Sequence, residues 1–169
     1  MTHPLVDQLR FARSEFRRAL EGLSDEDAAR RFEPMNCISW NVGHLAWQEQ
    51  RYFLWLAQDR ILLPALNEQF ANGAPACPPA LSAVLADWAA ITAAADLWLD
   101  TVDSATLQRE ATLNGALSGR IFGALLQRTL YHYWFHCGEN MAIRQLLGQR
   151  DLPQFVGDID GEAPYRPEA

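Results

Sequence analysis

A chain of 169 residues has the length of one domain, and with 49% hydrophobic and 21% charged residues it carries material for one core and too little polarity for disorder. A formal charge of −7, with basic residues scattered instead of gathered in a stripe, argues against a nucleic-acid partner. No run approaches eighteen uncharged apolar residues and the first ten lack a secretory apolar core, so a cytoplasmic protein without a membrane partner is expected.

Leu5, Leu9, Ala12, Phe16, Leu20 and Leu23 recur at intervals of three or four, which predicts an amphipathic helix over 4–22. Ser24 before Asp25, Glu26 and Asp27 has the chemistry of an N-cap and an acidic first turn, so a short helix runs toward Phe32 and Pro34 stops it. Ser39 is the expected cap of a second long helix, 40–59, and its apolar residues wrap most of the circumference, which makes this helix central. Between Leu63 and Pro79 the pattern fails at Pro64, Asn72, Gly73, Pro75, Pro78 and Pro79, and a loop this long is expected to wall or cover a binding site. A third long helix follows from Leu81 to Val102. Over 103–120, Asn114-Gly115 suits a tight turn and predicts a connector with a small hairpin. The last long helix spans 121–147 and ends at Gly148, a residue suited to the left-handed C′ position. Four apolar stripes must face one another, so the expected fold is all-α, a four-helix bundle over 1–150. Residues 151–169 form a Pro- and Gly-rich tail with little to bury, packing on or extending from the bundle.

Three of the four histidines fall inside apolar helices. His132 and His136 are four apart, so both rings project from one helix face, and His44 on the central helix is the expected third ligand of one divalent transition metal. Three imidazoles suit zinc or nickel first, then iron or manganese, and leave a coordination position open for water or substrate. His3, near the terminus, is expected to be solvated. Four neighbours are expected to orient ligands or contact substrate: Gln48, Asn140, Glu49 and Glu139, the two carboxylates as acceptors for the outer imidazole N–H. Trp40, one turn before His44, is a candidate wall. Cys37, Cys77 and Cys137 are widely spaced and read as reduced thiols, with Cys137 turned away from the ligands and Cys37 at a helix start.

The segment Ser39-Trp40-Asn41-Val42-Gly43-His44-Leu45-Ala46, with His132-x-x-x-His136-x-Gly138, resembles the DinB-like superfamily of DinB/YfiT-type bundle proteins, over most of the chain. In that family one histidine of the second long helix and an H-x3-H pair of the fourth form a facial metal triad, which falls here on His44, His132 and His136. Many relatives carry Arg-Gly-Gln after the last histidine where this chain has Cys137-Gly138-Glu139, and its acid lies one position later than in iron-dependent sulfoxide synthases. The resemblance implies a metal-dependent transferase that adds a low-molecular-weight thiol (bacillithiol, mycothiol or glutathione) to a small electrophile, or a thiol-dependent isomerase. The alternatives are a stress-associated metal-binding protein without turnover and a metal-dependent hydrolase. Homodimers are common among relatives, and a homodimer is expected.

Overall fold

A computed structural model describes residues 2–76 and 79–167. Cys77, read as a reduced thiol, and Pro78, both part of the loop expected at 63–79, lie outside the described residues.

Helix α1 runs Pro4–Arg18. Pro4 occupies a position whose N–H would be unsatisfied anyway, and His3 Nδ1 accepts the Leu5 N–H, so His3 is a helix cap and not the solvated residue expected. The helix stops four residues short of the expected end and closes in turns to Gly22 (φ 74°). Its orphan carbonyls have a distant partner: Arg144 donates to Ala19 O and Glu21 O at 2.6 and 3.0 Å. Ser24 caps α2 (Asp25–Ala29) through the Asp27 N–H, as its chemistry predicted.

The central helix departs most from expectation. Cys37, not Ser39, is the N-cap of α3 (Ile38–Glu49), and Ser39 lies inside the first turn, 3.4 Å from the buried Cys37 Sγ. After Glu49 the backbone widens into a π-helical segment, Gln50–Trp55, before a last α turn, α4 (Leu56–Gln58), closed by Asp59 at φ 50°. In a π turn each residue rotates less than in an α-helix, so the consecutive Tyr52, Phe53 and Leu54 can all be buried.

Leu63 to Pro79 is not wholly loop, because α5 (Leu66–Gln69) forms there and buries Leu66. Helix α6 (Leu81–Leu99) ends three residues early. Among the described helices, α6 alone is long and apolar enough to cross a membrane by length and composition, with hydropathy 1.2. It contains Asp96, however, which accepts hydrogen bonds from Arg10 and Arg13, and its buried face includes Val84, Trp88, Ile91 and Ala95. The connector holds α7 (Ser104–Gln108), capped by Asp103, and an antiparallel hairpin of β1 (Glu110–Leu113) and β2 (Ala116–Ile121). Asn114 and Gly115 both have positive φ, the geometry foreseen from that dipeptide. Helix α8 (Phe122–Leu146) ends at Gly148 with φ 78°, as expected.

The chain is thus mostly helical, with this hairpin as the one departure from an all-α plan among the described residues. α3 packs against α6 and α8, and α1 against α8. Phe16, Phe53, Leu45, Ile91 and Tyr133 are among the fully buried side chains of the shared core, each apolar one contributing about 1.5–3 kcal/mol by burial. The tail buries more than its composition suggested. It includes α9 (Ile159–Glu162), Ala163 is buried, Ala163 O accepts from Gln8, and Gly157 N donates to the buried Glu15.

Charged groups also lie inside the core. Arg13, 5% exposed, forks onto the fully buried Glu49, and its Nη1 reaches Asp96 Oδ1 at 2.8 Å. Tyr133 donates to Glu49 Oε1 and Trp88 Nε1 donates to the Tyr133 oxygen, both at 2.6 Å. Residues of α1, α3, α6 and α8 are thereby joined by one polar network. Burial alone would favour neutral Arg13, but Glu49 outweighs it and holds the guanidinium charged; burial pushes the Tyr133 hydroxyl well above its ordinary range.

Candidate metal centre

His44 projects from α3, and His132 and His136 from one face of α8. Their three ligand nitrogens lie within 4.8 Å of one another, and His132 Nε2 and His136 Nε2 are 3.0 Å apart. Nitrogen ligands of zinc sit about 2.0–2.1 Å from the ion and so span at most about 4.2 Å, which leaves a side-chain-scale contraction for the cluster to close on one ion. Two lone-pair nitrogens held this closely repel unless a proton or a cation is shared between them.

The outer nitrogens show which ring atoms are presented. His44 Nδ1 lies 2.7 Å from Phe70 O, which can only accept, so Nδ1 carries the proton and Nε2 is bare. His136 Nδ1 is 2.8 Å from Glu139 Oε2, so the carboxylate engages the outer nitrogen and Nε2 faces the cluster. His132 Nδ1 is buried without a partner, so this ring is the least anchored of the three. Burial pushes His44 down to about 4 and His132 down to about 3, which keeps both neutral and competent to ligate at neutral pH.

For metal-free protein this carries a stability consequence. Below pH 6.5 the unfolded chain protonates residue 44 while the folded chain does not, so the His44 contribution to stability falls with pH from about 6.5 to about 4 and levels off below, while His132 extends the loss to about 3. His44 alone is expected to cost about 3 kcal/mol across that window, read by urea denaturation in chelator at several pH values. Stability independent of pH over that range would contradict it.

The neighbours fall into two groups. Glu139 accepts from His136 and also from Asn41 Nδ2 at 2.9 Å, and Asn41 Nδ2 is 2.9 Å from the fully buried Asn140 Oδ1. Trp40 stacks on the His44 ring (centroids 4.7 Å, planes 14° apart). Gln48 is buried, its Oε1 has no partner, and it lines a cleft of about 510 Å³ with His132. Glu49 is a correction: both of its carboxylate oxygens are engaged by Arg13 and Tyr133, so it supports the core and no histidine. Cys137 is buried away from the ligands and its thiol is pushed up to about 12 by burial; Cys37 is buried as well.

Three participants escaped sequence reasoning. Trp47 stacks on His44 (centroids 5.2 Å), one turn beyond it, and its spacing from Trp40 across His44 was the available signal. Asn41 is a polar residue on a helix read as buried all round. Phe70 contributes a backbone carbonyl, which no side-chain pattern reveals. Gly43 is what admits Phe70, because a Cβ there would meet the ring at 2.5 Å. Gly43→Ala is therefore expected to displace Phe70, release the His44 Nδ1 proton and weaken metal binding about 10–100-fold with the far-ultraviolet spectrum retained, a loss measurable by competition with a chromophoric chelator.

Residues 8–139 match the DinB superfamily. No curated protein matches the chain.

Proposed function

Because the chain belongs to the DinB superfamily, we propose that it is a metal-dependent enzyme whose ion is held by His44, His132 and His136 and whose reaction joins a low-molecular-weight thiol to an electrophile, or uses such a thiol to isomerise a substrate. The observation that carries this reading is the convergence of three imidazoles from two helices, two of them neutral through burial and two with their outer nitrogens engaged.

The donor set fits a divalent transition ion, zinc or nickel ahead of iron or manganese: all-nitrogen and short of a closed four-ligand shell. When bound, such an ion supplies Lewis acidity that favours a thiolate over a thiol. The chain's own residues do the rest. Phe70 O and Glu139 hold the ring tautomers, and Asn41 steadies Glu139. Trp40 and Trp47 flank His44 with apolar faces that exclude water on that side. His132 borders the cleft, where a small molecule would approach.

In the same reading the protein is a cytoplasmic homodimer, each chain a four-helix bundle built on α1, α3 with its π extension, α6 and α8. Elemental analysis of protein purified without chelators, followed by thiol-dependent consumption of a model electrophile, tests the proposal. Metal at about one ion per chain with thiol-dependent turnover supports it. Metal without turnover against a thiol panel would favour a non-catalytic metal-binding protein, and hydrolysis without thiol a metal-dependent hydrolase.

A further inference from the structure

The cleft beside His132 is lined by Gln48, Ala124, Gln127, Arg128, Tyr131 and His132, with no carboxylate among them. Its volume of about 510 Å³ is that of a small-molecule site. Arg128 lies one helical turn before His132, so their side chains are neighbours on α8. The side chain of the exposed Arg128, like those of Arg17, Arg60 and Arg150, makes no ion pair or hydrogen bond among the described residues, so its guanidinium is open to a ligand. Gln48, the most buried residue of the lining at 6% exposure, has an amide oxygen without a partner. A single unpaired guanidinium, an unpaired buried acceptor and the metal-facing imidazole thus border one cleft.

We infer that this cleft recognises a carboxylate-bearing co-substrate, with Arg128 forking onto the carboxylate beside His132. The inference rests on the metal and thiol reading above and narrows it: among small thiols, those with a free carboxylate are preferred. A planar guanidinium matches a carboxylate through two parallel hydrogen bonds, and one positive charge on an acidic protein suits a monoanion better than a phosphate dianion.

The test uses full-length protein loaded with cobalt(II), whose thiolate absorption band reports sulfur at the metal. In the wild type, 3-mercaptopropionate is expected to bind about tenfold or more tighter than 2-mercaptoethanol, and Arg128→Gln to abolish that preference while leaving the neutral thiol unchanged. Equal affinities in the wild type, or an equal loss for both thiols in Arg128→Gln, would overturn the inference and leave the thiol reading standing. Inorganic phosphate competing at lower concentration than propionate would overturn the choice of a carboxylate. If neither thiol gives the band, the thiol reading fails, and propionate titrated into the same protein by NMR decides the cleft separately. A saturable shift lost in Arg128→Gln supports the carboxylate site, and no shift refutes it.

Discussion

Alanine in place of His44 is expected to leave the fold intact and to weaken divalent metal binding by a factor on the order of 10²–10³. Structural zinc sites with four ligands bind with apparent free energies of about 10–16 kcal/mol, so each ligand accounts for roughly 2.5–4 kcal/mol. His44 is the informative choice because it is the only α3 contribution to the cluster, and its loss leaves two rings on one helix face. The His132→Ala variant should lose a similar amount, and chelator competition with elemental analysis would read both. Full metal occupancy in either variant would remove the premise of the proposed function.

The second large effect concerns stability. Glu49→Ala leaves the buried Arg13 guanidinium with only the more exposed Asp96 as counter-charge, and removing one partner of a buried ion pair typically costs about 3–5 kcal/mol. Replacing both partners, Arg13→Met with Glu49→Leu, should cost much less, because two desolvated charges leave together and apolar volume replaces them. Equilibrium urea unfolding of the single and double variants forms a cycle that isolates the pair. A loss below about 1 kcal/mol in Glu49→Ala would mean that water reaches the cavity and solvates Arg13.

Those two sites show what the sequence makes legible. The long helices follow from a 3.6-residue recurrence, the hairpin from Asn114-Gly115, and the end of α8 from Gly148, because each depends on local chemistry written in a few adjacent residues. The pairing of His132 with His136 is likewise local. Arg13 was readable too, since it follows Leu9 by four and precedes Phe16 by three, on the apolar stripe and not on the opposite charged face. Its meaning depended on Glu49, distant in sequence and able to point inward as readily as toward a histidine. The π-helical segment has no composition of its own, and three bulky residues in a row at 52–54 are its one trace. The packing of the tail stayed hidden because Glu15, a charged residue, is the buried anchor that Gly157 and Arg18 engage.

The first residue of the π-helical segment has one further effect. Gln50 is buried, its Oε1 accepts from Leu62 N and Leu63 N, and its Nε2 donates to Leu63 O. Seven residues later the same chain segment is tethered again, where Phe70 sits in the hollow left by Gly43 and offers its carbonyl to His44. A stretch stapled at both ends to one helical rod does not swing as a gate, since parting from it would strip several buried amides and a ligand's tautomer lock in a single event. The cleft that reaches His132 is lined mainly by α8 residues, and residues 62–70 stand behind His44 as a fixed back plate.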